Sequence, residues 1–376
     1  MPDSSAAYRC DIIVVTWNKL DYIKECTQSI LRHTDIRARL IVVDNASGDE
    51  ARKYLGALKG TGLVDVKLIF NSENLGAGKA RNAALKDLDA DYACFVDSDV
   101  TVTPGWLSAM VDLADKHPEI GMLNPSSNNF NQVPPGGVTL DDYAGSLVRL
   151  KDRYMEVGHC ISFCMLIRAE VARKIGFIDE DYILALYEDT DYSMKASSAG
   201  YRCVIARGAY VWHYGHGSTG RIKGINAIAE KNKQRFYSKW GRPLRILWCC
   251  GFGVETAEFN HALGASIELA RSGNYVYINV REKRQFGRDE IFERRGLIEH
   301  ANVHIRLCPG SNFKWSCVFR VLLKRKKRYD MVIADDEGMC RTIERLAFLH
   351  GASVVISSDA GRIEQVTRQL KKDKGG

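Results

Sequence analysis

The chain has 376 residues, 45% of them apolar and 26% charged, with a formal net charge of +7. This length suggests about two domains, and the balance is that of an ordinary globular protein able to bury large cores. No apolar run approaches the roughly 20 residues that cross a bilayer, the N-terminus lacks the apolar core of a signal peptide, and 11 scattered cysteines fit a reducing cytosol better than a disulfide framework.

Asp11-Ile12-Ile13-Val14-Val15 reads as a first strand, with Thr16-Trp17-Asn18 at its end. Over residues 20–33, Leu20, Ile23, Cys26, Ile30 and Leu31 recur at near-helical spacing, so a helix follows. Leu40-Ile41-Val42-Val43 is a second strand, ending in Asp44-Asn45-Ala46-Ser47. Strand, helix and strand in that order predict a right-handed βαβ unit. Val66-Lys67-Leu68-Ile69-Phe70 is a third strand. Asn74-Leu75-Gly76-Ala77-Gly78-Lys79-Ala80-Arg81-Asn82 then runs as a glycine-bearing loop into a helix ending near Leu88. A helix N-terminus with Lys and Arg nearby is a seat for phosphate, and such loops also serve plain packing. The fourth strand, Tyr92-Ala93-Cys94-Phe95-Val96, ends in Asp97-Ser98-Asp99. Ligands of open α/β sheets gather at the carboxyl ends of such strands. Two acids one residue apart repel unless a positive group sits between them, and a hard divalent cation is the usual answer. The alternative is an Asp-rich turn.

Thr103-Pro104-Gly105-Trp106-Leu107 opens a helix. Residues 123–139, rich in Asn, Ser, Pro and Gly, read as a long irregular loop, a lid or an acceptor-side segment. Residues 158–168 read as another buried strand; Cys160 and Cys164 near His159 have the look of metal ligands, but in an apolar, strand-like segment they read as buried structural thiols. A helix over residues 170–175 follows, and Glu188-Asp189-Thr190-Asp191 begins one that ends near Gly200. The macrodipole favours acids at a helix start; three of them beside a cation site point to chemistry. Residues 201–205 and 209–212 read as two strands, the second ending in Trp212-His213-Tyr214-Gly215-His216. A strand-end histidine before a Gly/Ser loop suits a metal or a phosphate, and a structural histidine is the other reading.

These motifs, in this order, resemble those of inverting family-two glycosyltransferases of the GT-A fold, rhamnosyltransferases among them. The matching residues are Thr16/Asn18, Val43-Asp44-Asn45-Ala46-Ser47, Asn74-Leu75-Gly76 with Ala80-Arg81-Asn82, and Asp97-Ser98-Asp99. The resemblance covers residues 9–241. It implies a catalytic domain over residues 9–242, a mostly parallel sheet flanked by helices. By the same resemblance Asp44 contacts the nucleobase and Arg81 the nucleotide, with Thr16, Asn18, Asn45, Asn74, Gly76 and Ser98 around them. Asp97 touches ribose or metal, and Asp99 binds the Mg²⁺ or Mn²⁺ that holds the diphosphate, with His213 completing the metal shell. The family's Gly-Phe-Asp-Glu is altered to Gly176-Phe177-Ile178-Asp179, whereas Glu188-Asp189-Thr190-Asp191 keeps its pattern. Asp189 is then the general base beside Glu188, and Trp212, His216 and Asp191 are acceptor-side candidates. The reaction expected moves a sugar from a nucleoside diphosphate sugar to a hydroxyl of a glycan or glycolipid, in polysaccharide or cell-envelope synthesis. The alternative is a non-catalytic nucleotide- or glycan-binding module of the same fold. Such a module should lose its metal acids or its base, and Asp97, Asp99, Asp189 and His213 are all present. A nucleotidylyltransferase would need a glycine-rich basic loop after the first strand, which Thr16-Trp17-Asn18 is not.

Pro243 opens a second region. Residues 243–376 hold 23 Lys+Arg against 16 Asp+Glu, and residues 1–242 hold 30 against 30, so the whole +7 lies in the last third. Strands over residues 244–250, 275–280, 303–307, 331–334 and 353–356 alternate with helices. This reads as a smaller Rossmann-like α/β domain. It is similar to the N-terminal lobe of GT-B glycosyltransferases, as a truncated half or an accessory lobe. Gly251-Phe252-Gly253 lacks a full dinucleotide fingerprint. Trp315, Phe319, Val321, Leu322 and Leu323 precede Lys324-Arg325-Lys326-Lys327-Arg328. That is a solvated helix end, or a peripheral contact with an anionic membrane from the cytoplasmic side. No nucleic-acid motif accompanies the charge, so no nucleic-acid partner is expected.

Overall fold

The computed structural model describes residues 7–184, 186–215, 224–323 and 328–373. The chain divides into two compact units: Met1–Met155 with His159–Lys233, and Glu156–Gly158 with Gln234–Gly376.

The N-terminal unit is built on one nine-stranded sheet. Its first strands are β1 (Cys10–Thr16), β2 (Ala38–Asp44), β3 (Val64–Phe70) and β4 (Tyr92–Asp97). They lie in the order β3-β2-β1-β4 and all run parallel. β1, β2 and β4 are buried along nearly their whole length, as continuous apolar runs in parallel sheets are. The helices Leu20–His33, Asp49–Gly56 and Ala77–Leu85 make the crossovers. Register decides where the chemistry goes. Thr16 pairs with Asp44, Asp44 with Phe70, and Val15 with Asp97, so the polar strand ends reach one edge together.

The rest of the sheet is mixed. It comprises β5 (Val100–Val102), β6 (Ile120–Ser127), β7 (Tyr154–Val157), β8 (Cys164–Arg168) and β9 (Arg202–His213). β8 runs antiparallel between β4 and β6, β6 lies parallel to β9, and β5 pairs antiparallel with the end of β9. β7 also pairs with β9.

Several expectations are corrected here. The irregular loop expected from residue 123 begins later, because β6 runs through Pro125 to Ser127. Proline cannot donate to a ladder, and Pro125 sits at a register shift of the β6–β9 pairing. The two strands expected around Gly208 are one. A side chain there would lie 2.4 Å from the Lys151 Cα, so glycine lets β9 continue beneath that backbone. The strand expected over residues 158–168 is strand only from Cys164. Ahead of it the buried Asn124 side chain takes the Ile161 N–H and donates to the Ile161 and Cys164 carbonyls, which folds this stretch into a turn. The helix expected at Pro104 starts at Trp106, after Gly105 at φ 72°.

The C-terminal unit holds a second sheet of β10 (Arg245–Cys250), β11 (Tyr275–Arg281), β12 (Val303–Cys308), β13 (Met331–Ala334) and β14 (Ser353–Ile356). All pairs are parallel, in the order β12-β11-β10-β13-β14. Direction of winding reverses between β10 and β13, as in doubly wound sheets. At that point the Gly251 N–H donates to the Asp335 carboxylate (3.0 Å) and the Val254 N–H to Glu282 (3.2 Å). Two of the amides around this turn are therefore occupied by the protein's own acids. Among the described residues, no helix is long and apolar enough to cross a membrane.

Candidate active site

The end of β4 turns directly into β5, and β5 pairs with β9 so that Val100 faces His213. This hairpin-like return brings Asp97, Asp99 and His213 together, with one ligand atom of each within 4.8 Å of the others. The His213 Nε2 lies 3.2 Å from Asp99 Oδ1. Its ring is held from behind: Asn129 Nδ2 meets Nδ1 at 2.8 Å, and Phe163 stacks on it at 5.4 Å. Asn128 clamps the backbone of His213 through both its N–H and its carbonyl. The other Asp99 oxygen, Oδ2, is buried and has no hydrogen-bond partner among the described residues. Two negative charges at about this spacing repel by about 3–4 kcal/mol at an effective dielectric constant of about 20. Burial works against the imidazolium of His213, but the bond to Asp99 and the charges of both acids outweigh it, raising His213 above its ordinary value. Two carboxylates, one imidazole and an unsatisfied buried oxygen fit a divalent cation such as Mn²⁺ or Mg²⁺.

Arg81 joins this cluster to the start of the helix Glu188–Ser198. Its guanidinium donates to Asp97 Oδ1 (2.9 Å) and to Glu188 Oε1 (3.2 Å). Burial pushes the Asp97 carboxyl up, Arg81 opposes this, and Asp99 adds to it. Burial and the neighbouring Asp189 push Glu188 to about 7, against the pull of Arg81. Asp189 is half-buried in the first turn of the helix. One oxygen takes the Thr190 N–H (2.7 Å), the other the Ser162 N–H (3.0 Å). The adjacent Phe163 carbonyl accepts the Asp97 N–H at 2.8 Å. The turn at Ser162 and Phe163 thus spans from Asp97 to Asp189.

The other strand ends form a tied network. The Thr16 hydroxyl donates to Asp44 Oδ1 at 3.2 Å, and Asp44 Oδ2 takes the Ser47 N–H and faces Arg52. Asn18, at φ 57°, donates its N–H to Ser47 and accepts from Gly48. The buried Asn45 accepts from Asn71 and donates to the Gly76 carbonyl. Asn74 is exposed and accepts the Gly76 N–H. Gly76 takes φ 81°, and a Cβ there would meet the Leu184 backbone at 3.1 Å. Ser98 is half-buried between Asp97 and Asp99.

The acceptor-side candidates fare differently. Asp191 is wholly buried, takes the Tyr182 hydroxyl at 3.3 Å and does not reach the cluster surface. Trp212 is half-buried and pairs with Thr101; as the neighbour of His213 along β9 it points to the opposite face. His216 lies outside the described residues. Sequence reasoning missed Asn128, Asn129 and Phe163, which position His213. Their only signal was an Asn-rich stretch taken for loop.

The parallel strand set thus brings a candidate cation cluster, a bridging arginine and a Glu-Asp helix start to one edge. Residues 11–176 match the model of Glycosyl transferase family 2. An N-acetylglucosaminyl-diphospho-decaprenol L-rhamnosyltransferase of Mycobacterium tuberculosis is 25% identical over 62% of this chain and 87% of its own length. An uncharacterised protein of Sinorhizobium fredii is 26% identical over 56% of this chain, which spans only 25% of that relative's length. Among solved structures, a mannosyltransferase from Pyrobaculum calidifontis in complex with GDP-Man and Mn²⁺ covers 64% of this chain and 66% of its own, at 19% identity and TM-score 0.45.

Proposed function

We propose that the chain is a cation-dependent, inverting glycosyltransferase that moves a sugar from a nucleoside diphosphate sugar to a hydroxyl of a glycan or glycolipid. The observation that carries this reading is the Asp97–Asp99–His213 cluster with its buried, unpartnered Asp99 oxygen, tied through Arg81 to Glu188, next to Asp189. Asp97, Asp99 and His213 would hold Mg²⁺ or Mn²⁺. Such a cation supplies Lewis-acid stabilisation of a departing diphosphate. Arg81 holds Asp97 and Glu188 in place and adds fixed positive charge beside the diphosphate. Thr16, Asn18, Asp44, Asn45, Asn74, Gly76 and Ser98 shape the nucleotide side. Residues 9–242 do this work in the proposed reading.

Asp189 is the proposed base. It is not one of the three cluster ligands, and a carboxylate held by a cation is a poor proton acceptor. With the base opposite the leaving diphosphate, the acceptor oxygen attacks from the far face and the anomeric configuration inverts. The rhamnosyltransferase relative is named for a diphospho-decaprenol-linked acceptor. This supports a lipid-linked acceptor in envelope or polysaccharide synthesis, met at a membrane surface.

The D189N variant is expected to keep nucleotide-sugar and cation binding while transfer falls by at least about 10². Transfer assays and calorimetry on the same preparation check this, with NMR of the product anomer. Near-normal turnover removes Asp189 from the mechanism. A retained configuration overturns single displacement.

A further inference from the structure

The helix Phe313–Leu322 buries Phe313, Cys317, Val318 and Val321. Three of these belong to one of the two cores of the C-terminal unit. Its other side carries Trp315 and Phe319, with Leu323 just beyond its end. Four-residue spacing sets them on one line. They are 63%, 58% and 54% exposed. The Trp315 and Phe319 rings lie 6.2 Å apart. The short helix Ala347–His350, packed beside this one, leaves Phe348 81% exposed and Leu349 outside as well. Single exposed apolar residues are ordinary; four large ones on two neighbouring helices and a fifth just beyond the first mark an interaction surface.

Charge selects the occupant. The exposed Lys314 sits on the same helix, and in the sequence Leu323 is followed at once by Lys324-Arg325-Lys326-Lys327-Arg328. The entire net +7 of the chain belongs to residues 243–376. A second copy would set like charge against like charge across a two-fold interface. A nucleic acid would offer no apolar phase to Leu323 and Phe348. A bilayer with anionic headgroups offers both partners: an apolar layer for the aromatic line and negative charge for Lys314 and for the basic run that follows Leu323 in the sequence.

We infer that this face docks the chain onto an anionic bilayer, with Trp315, Phe319, Leu323 and Phe348 seated at the boundary of headgroups and acyl chains. The docking deepens the reading of a lipid-linked acceptor and rests on it for its purpose alone. Its residues lie away from the candidate site in sequence and act by partition.

Flotation of the full chain with vesicles tests it. The chain is expected to bind vesicles of phosphatidylcholine with phosphatidylglycerol and to ignore phosphatidylcholine alone. Raising salt from about 0.1 M to about 1 M, which shortens the screening length from about 10 to about 3 Å, is expected to release it. The W315S/F319S variant should partition at least about tenfold more weakly, with F348S weakened in the same direction. Both should unfold at the wild-type temperature, since these side chains are outside the core. Equal binding to uncharged vesicles, or undiminished binding by W315S/F319S, overturns the inference. So does an absence of vesicle binding together with a dimer that W315S/F319S dissociates, which assigns the face to a second copy. Transfer to a short soluble acceptor separates the two claims. Its absence in a chain that still floats counts against the catalytic reading and leaves the docking surface standing.

Discussion

Glu188 shows how one residue can be shaped by its site. It is almost wholly buried, shares Arg81 with Asp97, keeps one oxygen unpartnered among the described residues, and is raised from 4.5 to about 7. A carboxyl raised in the folded state binds its proton more tightly there than in the unfolded chain. The stability that this proton binding contributes is therefore complete below about pH 4.5 and is lost as pH rises to about 7. Glutamine keeps the shape and cannot ionise. The stability of E188Q relative to wild type, measured by chemical unfolding without added cation, is expected to be flat below pH 4.5. Between that pH and about 7 it should grow by at most about 1.4 kcal/mol per pH unit, and level off above. A pH-independent difference would show that the fold leaves the Glu188 carboxyl at its ordinary value. The acid pair itself was legible in the sequence from its motif. Its coupling to Arg81 was not, because 107 residues separate the two and only the fold closes that distance.

At the scale of elements, the approach to the helix Glu188–Ser198 is held by amides. Leu184, Leu186 and Tyr187 all take positive φ, of 59°, 78° and 73°, an arrangement non-glycine residues adopt only when their surroundings enforce it. Asn232 accepts the Ile183 N–H and donates to the carbonyls of Ile183 and Leu186. Asn82 accepts the Ile178 N–H and donates to the Ile178 carbonyl and to Glu180. Ala77 donates its N–H to the Leu184 carbonyl. Replacing Asn232 with alanine removes three hydrogen bonds from part-buried backbone groups, at a cost of about 1–3 kcal/mol. N232A is expected to lose about that much stability and to exchange the amides of residues 183–187 faster, while cation binding persists. Unchanged exchange there would mean that the loop holds its conformation without the clamp.

The strands β1 to β4 and the helices between them were read from the sequence with their polar ends in place, because buried parallel strands announce themselves as apolar runs. The elements that were misread fail for physical reasons. β5 is three residues long and carries no pattern of its own. Pro125 looks like a loop signal until a register shift excuses it from the ladder. Gly208 looks like a turn until the Lys151 backbone lies against it. The positions of Asn128 and Asn129 on His213 follow from β6 reaching Ser127, which the proline concealed.

For the whole molecule, composition already divides the labour. Residues 1–242 balance their charge, and the remainder carries all +7. The family match stays within residues 11–176, so the account of catalysis stands or falls on the N-terminal unit. Its central claim is that a cation held by Asp97, Asp99 and His213 recruits the nucleoside diphosphate. The most direct test is a thermal-unfolding screen of nucleoside diphosphates and their sugars, with and without Mg²⁺ or Mn²⁺, on wild type and D99N. Wild type is expected to gain about 2.7 kcal/mol from a true ligand at about 100 times its Kd, only when the cation is present. D99N, which loses the charged ligand whose second oxygen is unpartnered, is expected to lose that gain. A cation-dependent gain in D99N equal to that of wild type, or nucleotide binding indifferent to cation in both, would contradict the account.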